Sequence, residues 1–234
     1  MAVKEKAPTA VSLPSVRRYR TLEEAVYHDL REAMVTGRLA PGSRIVVDAV
    51  AREAGISRLP VIHALKRLQS EGFVHINPHK DVVVARYEPE EVAELYDILS
   101  AVEALCVRAA AQRVTGEALA TLRELNRQLA QAQGEGQTTA AAALDKEFHF
   151  TLWDGSSLAH TTAILRNLWD RYQVYRERLY GRSGYPRDSL AEHAALLDAL
   201  AAHDAQRAVL LIGRHRDMAR QRVLAALSSE AGGP

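Results

Sequence analysis

Three histidines and one aspartate interrupt the apolar faces of predicted helices. Asp145 and His149 are four residues apart, so a helix places both side chains on one face. His193 begins the apolar stripe of a second helix, and His215 lies on the apolar side of a third. One carboxylate and three imidazoles are therefore predicted to point into the interior of the same group of helices.

Buried imidazoles and carboxylates are costly unless they find partners. A divalent metal would satisfy all four groups, because imidazole nitrogen and carboxylate oxygen are ligands for Zn, Ni, Mn and Fe. The sequence thus predicts a metal site, with zinc as first choice, formed by Asp145, His149, His193 and His215. In the alternative, a backbone carbonyl or a water satisfies each histidine separately.

A metalloenzyme is a second use of the same residues. Three histidines and one aspartate leave coordination positions open, as catalytic sites require. No further general base is identifiable near these motifs, and an enzyme would leave the first part of the chain without a role. We therefore predict that the protein is not an enzyme.

The segment Val46–Glu71 indicates a second kind of chemistry. It is predicted to form two short helices around Gly55, with Ser57 capping the second. On that second helix five residues lie off the buried stripe: Arg58, Ile62, His63, Lys66 and Arg67. This is the helix-turn-helix arrangement, which presents the second helix to the major groove of DNA.

A β-hairpin is predicted directly after this helix. Phe73–Asn77 and Val82–Arg86 are β-prone, and Pro78–Asp81 between them is a turn. Such a hairpin would be the wing of a winged helix-turn-helix, with Lys80 near DNA phosphates. The alternative is a hairpin that only completes the domain core.

The remaining chain shows helical periodicity without a convincing strand. Helices are predicted at 90–114, 116–133, 139–154, 157–180, 189–202 and 204–228, with a Ser189–Glu192 capping box and a loop at 181–187. The predicted fold is mainly α: a winged helix-turn-helix domain followed by an all-α bundle of six or seven helices. The predicted divisions are a flexible tail (1–20), the DNA-binding domain (21–87), the helical domain (88–228) and a flexible tail (229–234).

Charge differs between these parts. Residues 1–86 carry 14 Lys/Arg against 9 Asp/Glu, whereas residues 87–234 carry 16 against 20. A basic first part fits binding to a polyanion.

The single cysteine, Cys106, excludes an internal disulfide, and no apolar run approaches the roughly 20 residues that span a bilayer. With no signal-peptide core near Met1, we expect a cytoplasmic protein without a membrane partner.

The chain resembles the GntR family of bacterial transcription regulators, in the FadR-like branch with an FCD-type helical domain. The resemblance covers residues 20 to 227 and rests on these segments: Gly37–Ile45, Ala54–Val61, Ala64–Val74, Asp145–His149, Glu192–Leu200 and His215. It implies a homodimer on a palindromic double-stranded DNA operator, and a small effector, often an organic acid, beside the metal. It also implies that Ser57 and Arg58 contact DNA and that Asp145 and the three histidines bind the metal.

Two departures from the family pattern concern DNA. The chain has Leu59, Ile62 and His63 where relatives usually have threonine, arginine and glutamate. Ile62 cannot form the bidentate guanine contact of an arginine, although it can pack on a thymine methyl. Asp81 stands where glycine is common in the wing. The operator sequence of relatives is therefore not transferred to this chain.

A third departure concerns the effector. Leu99 stands where relatives often have an arginine that pairs with the effector's carboxylate. Arg166, Arg171 and Arg176 are candidate replacements, or else they form a solvated helix face. A further hypothesis is that the metal itself is the signal. Effector identity, metal identity and the direction of regulation are left open by the sequence.

Overall fold

The computed structural model describes residues 21–77, 81–183 and 186–231, and it confirms a mainly helical fold. The segments expected as tails, 1–20 and 232–234, lie outside the described residues, as does the wing tip 78–80 with Lys80. The first six elements are α1 (Leu22–Val35), β1 (Arg44–Ile45), α2 (Val47–Glu53), α3 (Arg58–Ser70), β2 (Val74–Ile76) and β3 (Val82–Val84).

Helix α1 begins at a capping box. The Thr21 hydroxyl accepts from the Glu24 amide at 3.2 Å, and the Glu24 carboxylate accepts from the Thr21 amide at 3.0 Å. These bonds satisfy amides that have no partner inside the helix. Helix α1 then buries an apolar face, including Val26, Leu30 and Met34, against α3.

The helix-turn-helix forms as predicted, and shorter strands, β2 and β3, form within the two segments of the predicted hairpin. Gly55 adopts a φ of 65° in the turn between α2 and α3, a conformation that favours glycine. Ser57 is the N-cap residue of α3, but its side chain makes no capping hydrogen bond, so that detail of the prediction is wrong. The short strand β1 pairs antiparallel with β3, which also pairs with β2, giving the sheet order β1-β3-β2.

The second part of the chain is a helical bundle. Its helices are α4 (Pro89–Arg113), α5 (Gly116–Gly134), α6 (Thr138–Asp154), α7 (Ala159–Ser183), α8 (Asp188–Ala201) and α9 (Ala205–Ala231). They enclose a core that includes Leu99, Phe148, Trp153, Trp169 and Leu200. In the described ranges, none of the helices combines the length and apolar character needed to cross a bilayer.

Several helix boundaries differ from the prediction, and three of the differences change a predicted loop, cap or tail. Helix α7 continues to Ser183, past Gly181, where a loop was expected. Helix α8 begins at Asp188 with Arg187 as its N-cap, so Ser189 lies inside the helix and the predicted Ser189–Glu192 capping box does not form. Helix α9 reaches Ala231, so residues 229–231 are helical rather than part of a C-terminal tail.

Candidate metal centre and nucleic-acid interface

The four predicted metal ligands meet in the interior of the bundle. Asp145 and His149 come from one turn of α6, His193 from the start of α8, and His215 from the middle of α9. All four side chains are buried. One ligand atom from each histidine lies within 4.8 Å of the others. Three separate helices, α6, α8 and α9, therefore bring these donors to one point.

The distances within the cluster fit a shared cation. Asp145 Oδ1 lies 3.6 Å from Nε2 of His149 and 3.6 Å from Nε2 of His193, too long for hydrogen bonds. Both Nε2 atoms are buried and lack a hydrogen-bond partner among the described residues. Two ligand atoms on one tetrahedral zinc lie roughly 3.4 Å apart, given zinc-ligand bonds of ~2.0–2.2 Å. The donor set and its spacing therefore fit a divalent metal.

Hydrogen bonds at Nδ1 of His193 and His215 leave the Nε2 atom of each ring free to bind a metal. His193 Nδ1 lies 3.3 Å from Asn126 Oδ1, and His215 Nδ1 lies 2.7 Å from Glu192 Oε2. Both oxygens are acceptors, so each Nδ1 carries the proton and each Nε2 keeps its lone pair. Oxygen partners of this kind commonly orient metal-binding histidines. Glu192 therefore orients His215 rather than capping α8.

His149 has two competing partners at Nδ1. Arg216 Nη2 is 2.9 Å away and can only donate, whereas Glu103 Oε1 is 3.3 Å away and can only accept. Accepting from Arg216 requires the ring proton on Nε2. Donating to Glu103 places the proton on Nδ1 and frees the Nε2 lone pair. The metal-binding form of His149 is thus the one that bonds to Glu103.

Glu103 and Arg216 are functional residues that the sequence reasoning missed. Both are fully buried, and Arg216 donates to Glu103 through Nε and, at 2.7 Å, through Nη2. Trp153 Nε1 also donates to Glu103, at 2.7 Å. A signal existed, because Arg216 interrupts the same apolar stripe of α9 that identified His215.

Only one of the three candidate effector arginines belongs to the cluster. Arg176 Nη2 donates to Asp145 Oδ2 at 2.6 Å, and its guanidinium lies 4.5 Å from the centre of the Trp169 ring. Arg166 instead pairs with Asp154 on the surface. Arg171 donates to the Tyr87 hydroxyl next to the DNA-binding domain.

Burial and neighbouring charge keep the imidazoles of His149 and His193 neutral. Burial, and then the Arg216 guanidinium, hold the pKa of His149 well below its usual value. Burial and the nearby His215 lower the pKa of His193 to about 3. Burial would raise the pKa of Asp145, but the Arg176 guanidinium outweighs it, so that pKa is lowered. The cluster therefore holds neutral imidazoles at His149 and His193 and an ionised carboxylate at Asp145, the forms that bind metal.

These pKa values predict that the metal-free protein loses stability in acid. In the unfolded chain His149 and His193 bind a proton near pH 6.5, whereas in the folded chain their pKa values are lower. The free energy of unfolding therefore decreases as the pH falls below 6.5. Each imidazole lowers the free energy of unfolding by up to about 1.4 kcal/mol for every pH unit below 6.5. For His193 this loss ends near pH 3, where the folded protein also binds the proton. Calorimetry in chelator between pH 7 and 4 measures this decline. His193→Gln should flatten the profile, and an equal slope in that variant would contradict the assignment.

Helix α3 presents most of the predicted DNA-binding residues at the surface. Ser57, Arg58, His63 and Lys66 are exposed. Arg58 Nε lies 2.9 Å from Asp48 Oδ1, and His63 Nδ1 lies 3.3 Å from Glu23 Oε2. Lys66 has no ion pair within the described part of the chain. Its charge is therefore unpaired on this surface, whereas the Arg58 guanidinium shares its charge with Asp48.

Arg67, also predicted to contact DNA, makes contacts within its own domain. Its guanidinium lies 3.7 Å from the centre of the Tyr27 ring, and its Nε lies 3.2 Å from Glu71 Oε1. The Tyr27 hydroxyl donates to the same carboxylate at 2.6 Å. Arg67 therefore has a structural role in joining α1 to the end of α3.

Helix α7 contacts both the cluster and the DNA-binding domain. On one face, Asp170 Oδ2 pairs with Arg31 Nη1 of α1 at 2.6 Å, and the Tyr175 hydroxyl accepts from the Tyr87 amide at 2.8 Å. On the other face, Trp169 lies near the His149 ring and Arg176 donates to Asp145. The Tyr87 hydroxyl also donates to the Gly72 carbonyl beyond the end of α3.

Comparisons with known proteins match both parts of the chain. A model described as "Bacterial regulatory proteins, gntR family" matches residues 22–84, and one described as "FCD domain" matches residues 94–218. An uncharacterized HTH-type transcriptional regulator of Agrobacterium vitis is 34% identical over 135 residues, which cover 55% of this chain and 77% of that protein. The HTH-type transcriptional regulator McbR of Escherichia coli is 28% identical over 181 residues, 76% of this chain and 82% of that one. The solved structure of E. coli McbR/YncC has a similar fold, with a TM-score of 0.76 at 24% identity over 92% of this chain and 100% of that chain.

Proposed function

Because the chain belongs to the GntR family of DNA-binding transcription regulators, with an FCD domain in its C-terminal part, we propose that a metal-dependent effector site controls its operator affinity. The metal is divalent, most simply zinc, with nickel, manganese or iron as alternatives. Asp145, His149, His193 and His215 hold it. The effector is a small organic acid bound beside it. Two copies of the chain bind a palindromic operator.

One observation carries the metal proposal. Two buried imidazole nitrogens, His149 Nε2 and His193 Nε2, face the same carboxylate oxygen of Asp145 without hydrogen-bond partners among the described residues. Leaving such atoms unsatisfied costs about 1–3 kcal/mol each. A bound metal would remove that cost for both and would supply a positive charge beside which an anion can bind.

The charges around the cluster favour an anionic effector. Asp145 and Glu103 already balance Arg176 and Arg216 through buried ion pairs. A divalent metal would add two positive charges. The two carboxylates of these pairs already neutralise the two arginines, so they leave the charge of the metal unbalanced. An organic acid would supply the missing negative charge. Leu99 is fully buried and cannot contribute, so Arg176 is the proposed replacement for the family's arginine.

Two further polar atoms support a ligand at this place. Trp169 Nε1 and the Tyr172 hydroxyl are buried and have no hydrogen-bond partner in the described ranges. The Trp169 ring is tilted against that of His149, with ring centres 5.3 Å apart, and the ring centre of Tyr172 lies 5.5 Å from that of Trp169. Both groups can donate to a carboxylate. They belong to α7, the helix that also contacts the DNA-binding domain.

Helix α7 is the proposed route from the effector site to DNA. A metal that takes Asp145 as a ligand competes with Arg176 for that carboxylate. Movement of Arg176 would displace α7. The other face of α7 contacts the DNA-binding domain, where Asp170 pairs with Arg31 and Arg171 donates to Tyr87 at the domain junction. The positions of two α3 helices on one operator depend on that junction.

The metal alone is a second candidate signal, because breaking the Asp145–Arg176 pair needs no effector. An experiment distinguishes control by the metal alone from control by an effector. An operator is first selected from a random pool of duplex DNA, and the affinity of the protein for it is then measured. With zinc present, we expect one member of a panel of small carboxylic acids to change the affinity about 5- to 150-fold. A change with zinc alone would favour metal sensing. Equal affinity in chelator, zinc and every acid would contradict both.

Arg58 should contribute strongly to operator binding. Replacing it with alanine removes an exposed guanidinium at the start of α3, and loss of one base contact costs about 1–3 kcal/mol. We expect roughly a 10-fold or larger loss of affinity in a mobility-shift assay. Arg123→Ala, at an exposed position of α5, is the matched control. An Arg58→Ala protein that binds like this control would contradict the assignment.

A further inference from the structure

Helix α3 begins with a leucine that faces away from the protein. Leu59 is the second residue of α3 and is 60% exposed, the largest fraction among the large apolar residues of the described ranges. The buried side of the helix is formed by Val61, Ala64, Leu65 and Leu68. At about 100° per residue, Leu59 lies on the opposite side. Single exposed leucines are common on protein surfaces, so it is the position of Leu59 that needs an explanation.

This position is the one that a helix-turn-helix turns toward the base pairs. In that motif the second helix lies in the major groove, and residues near its N-terminus contact the base edges. Lys66 follows Leu59 by about two turns on the same side of α3. It is exposed, and among the described residues it has no ion-pair partner. The outward line of α3 therefore has a leucine at the end that contacts bases and a cation, which attracts phosphates, farther along.

Ile62 extends the apolar surface. It follows Leu59 by three residues, so the two side chains are neighbours on the helix, and it is half-buried. The polar residues beside them have partners in the protein. Arg58 lies 2.9 Å from a carboxylate of α2, and His63 lies 3.3 Å from a carboxylate of α1. Between these two pairs, α3 presents an apolar surface that cannot form hydrogen bonds with bases.

One feature of the base edges in the major groove suits an apolar contact. Adenine, guanine and cytosine present hydrogen-bond donors and acceptors, whereas thymine also presents its C5-methyl group. A leucine placed against a donor or acceptor displaces water without replacing the hydrogen bond, which is unfavourable. A leucine placed against the methyl group buries apolar surface on both sides. The 5-methyl group of a pyrimidine is therefore the chemical group that this surface fits.

We propose that Leu59, with Ile62 beside it, recognises the 5-methyl group of a thymine in the major groove of the operator. This contact is additional to the one expected of Arg58. The inference rests on DNA binding through α3 and is independent of the proposed metal and effector. The same methyl group occurs in 5-methylcytosine, so the experiment must distinguish the two bases.

Uracil lacks only the methyl group of thymine and tests the contact directly. An operator is selected from random duplex DNA, each thymine is replaced singly by uracil, and affinity is measured in a mobility-shift assay. The native protein should lose about 4-fold in affinity at the contacted thymine, the value of one buried methyl group. Replacing that T·A pair by C·G should cost roughly 10-fold or more. Placing 5-methylcytosine there instead of cytosine should recover about 4-fold.

Variants assign the recognition of the methyl group to Leu59. Leu59→Ala should abolish the preference for thymine over uracil, whereas Leu59→Met, an apolar side chain of similar volume, should retain it. Ile62→Ala should reduce the preference. Lys66→Ala, on the same side of α3, should weaken binding to both DNAs equally and leave their ratio near 4-fold. Leu210→Ala, at a 54% exposed position of α9, is the matched control and should keep the ratio.

Three results would overturn the proposal. Equal affinity for thymine and uracil at every position would mean that bases are recognised through hydrogen bonds or DNA shape. An unchanged preference in Leu59→Ala would assign the methyl contact to another residue. Tighter binding to 5-methylcytosine·G than to T·A would identify methylated DNA, and not thymine, as the partner. Because the readout is a ratio of two affinities, taken in chelator or in zinc, failure of the metal and effector proposal would leave it unchanged.

Discussion

Replacing His193 with alanine should reduce zinc affinity by more than about 100-fold. Loss of an outer-shell partner alone costs roughly 10- to 100-fold, and His193 supplies a ligand atom directly. Its Nε2 lies 3.6 Å from Asp145 Oδ1, and its Nδ1 is held by Asn126, so the ring is already oriented for the metal. Competition against a chromophoric zinc chelator measures the affinity.

Two comparisons make the His193 result specific. His160→Ala removes an exposed histidine at the start of α7 and should leave zinc affinity unchanged. Asn126→Ala removes only the partner of His193 Nδ1 and should give an intermediate loss, about 10-fold or more. Equal zinc affinity in the native protein, His160→Ala and His193→Ala would show that the cluster is not the metal site.

Replacing Glu103 with leucine should destabilise the metal-free protein by about 3–5 kcal/mol. The change leaves the fully buried Arg216 without its carboxylate and removes the acceptor of Trp153 Nε1. A buried unpaired charge is among the most expensive defects in a folded protein. Since whole domains are stable by only about 5–15 kcal/mol, the effect should be large in chelator and denaturant.

The double variant Glu103→Leu, Arg216→Met separates charge from packing. Replacing both members of a buried ion pair with apolar residues is often neutral or stabilising. We therefore expect the double variant to recover most of the stability that Glu103→Leu loses. If the double variant is as unstable as the single one, shape rather than charge pairing dominates at this position.

Much of the candidate metal cluster could be predicted because helical periodicity is local. Asp145 and His149 share a face by spacing alone, and His193 and His215 each interrupt an apolar stripe. Because a bundle directs its apolar stripes to a common interior, four polar residues on such stripes are brought together. The capping box at Thr21 and the turn at Gly55 were predictable for the same reason, since their chemistry acts over a few residues.

The partners of these residues could not be predicted, because they depend on how distant helices align. The Glu103–Arg216 pair joins α4 to α9 across 113 positions of the chain. Glu192 matched a local capping pattern with Ser189, but the arrangement of α8 against α9 makes it the partner of His215 instead. Arg176 was one of three arginines with equal claims in sequence, and only the packing of α7 against α6 selects it.

The DNA-binding surface shows the same limit. The helix-turn-helix and wing follow from local patterns, whereas the ion pairs of individual residues do not. Arg67 was grouped with Arg58 and Lys66 because all three lie off the buried stripe of α3. The packing of α1 places Tyr27 beneath Arg67, a contact that the spacing of residues on α3 could not predict.

The central claim is that the buried cluster of Asp145 and three histidines holds a divalent metal. Anomalous X-ray diffraction at the zinc edge, from crystals of the zinc-saturated protein, tests it most directly. We predict one anomalous peak per chain at bonding distance from the His149 and His193 Nε2 atoms, from Asp145 and from His215, with Arg176 no longer closest to Asp145. An empty cluster in zinc-saturated crystals, with Arg176 still bonded to Asp145, would contradict the claim.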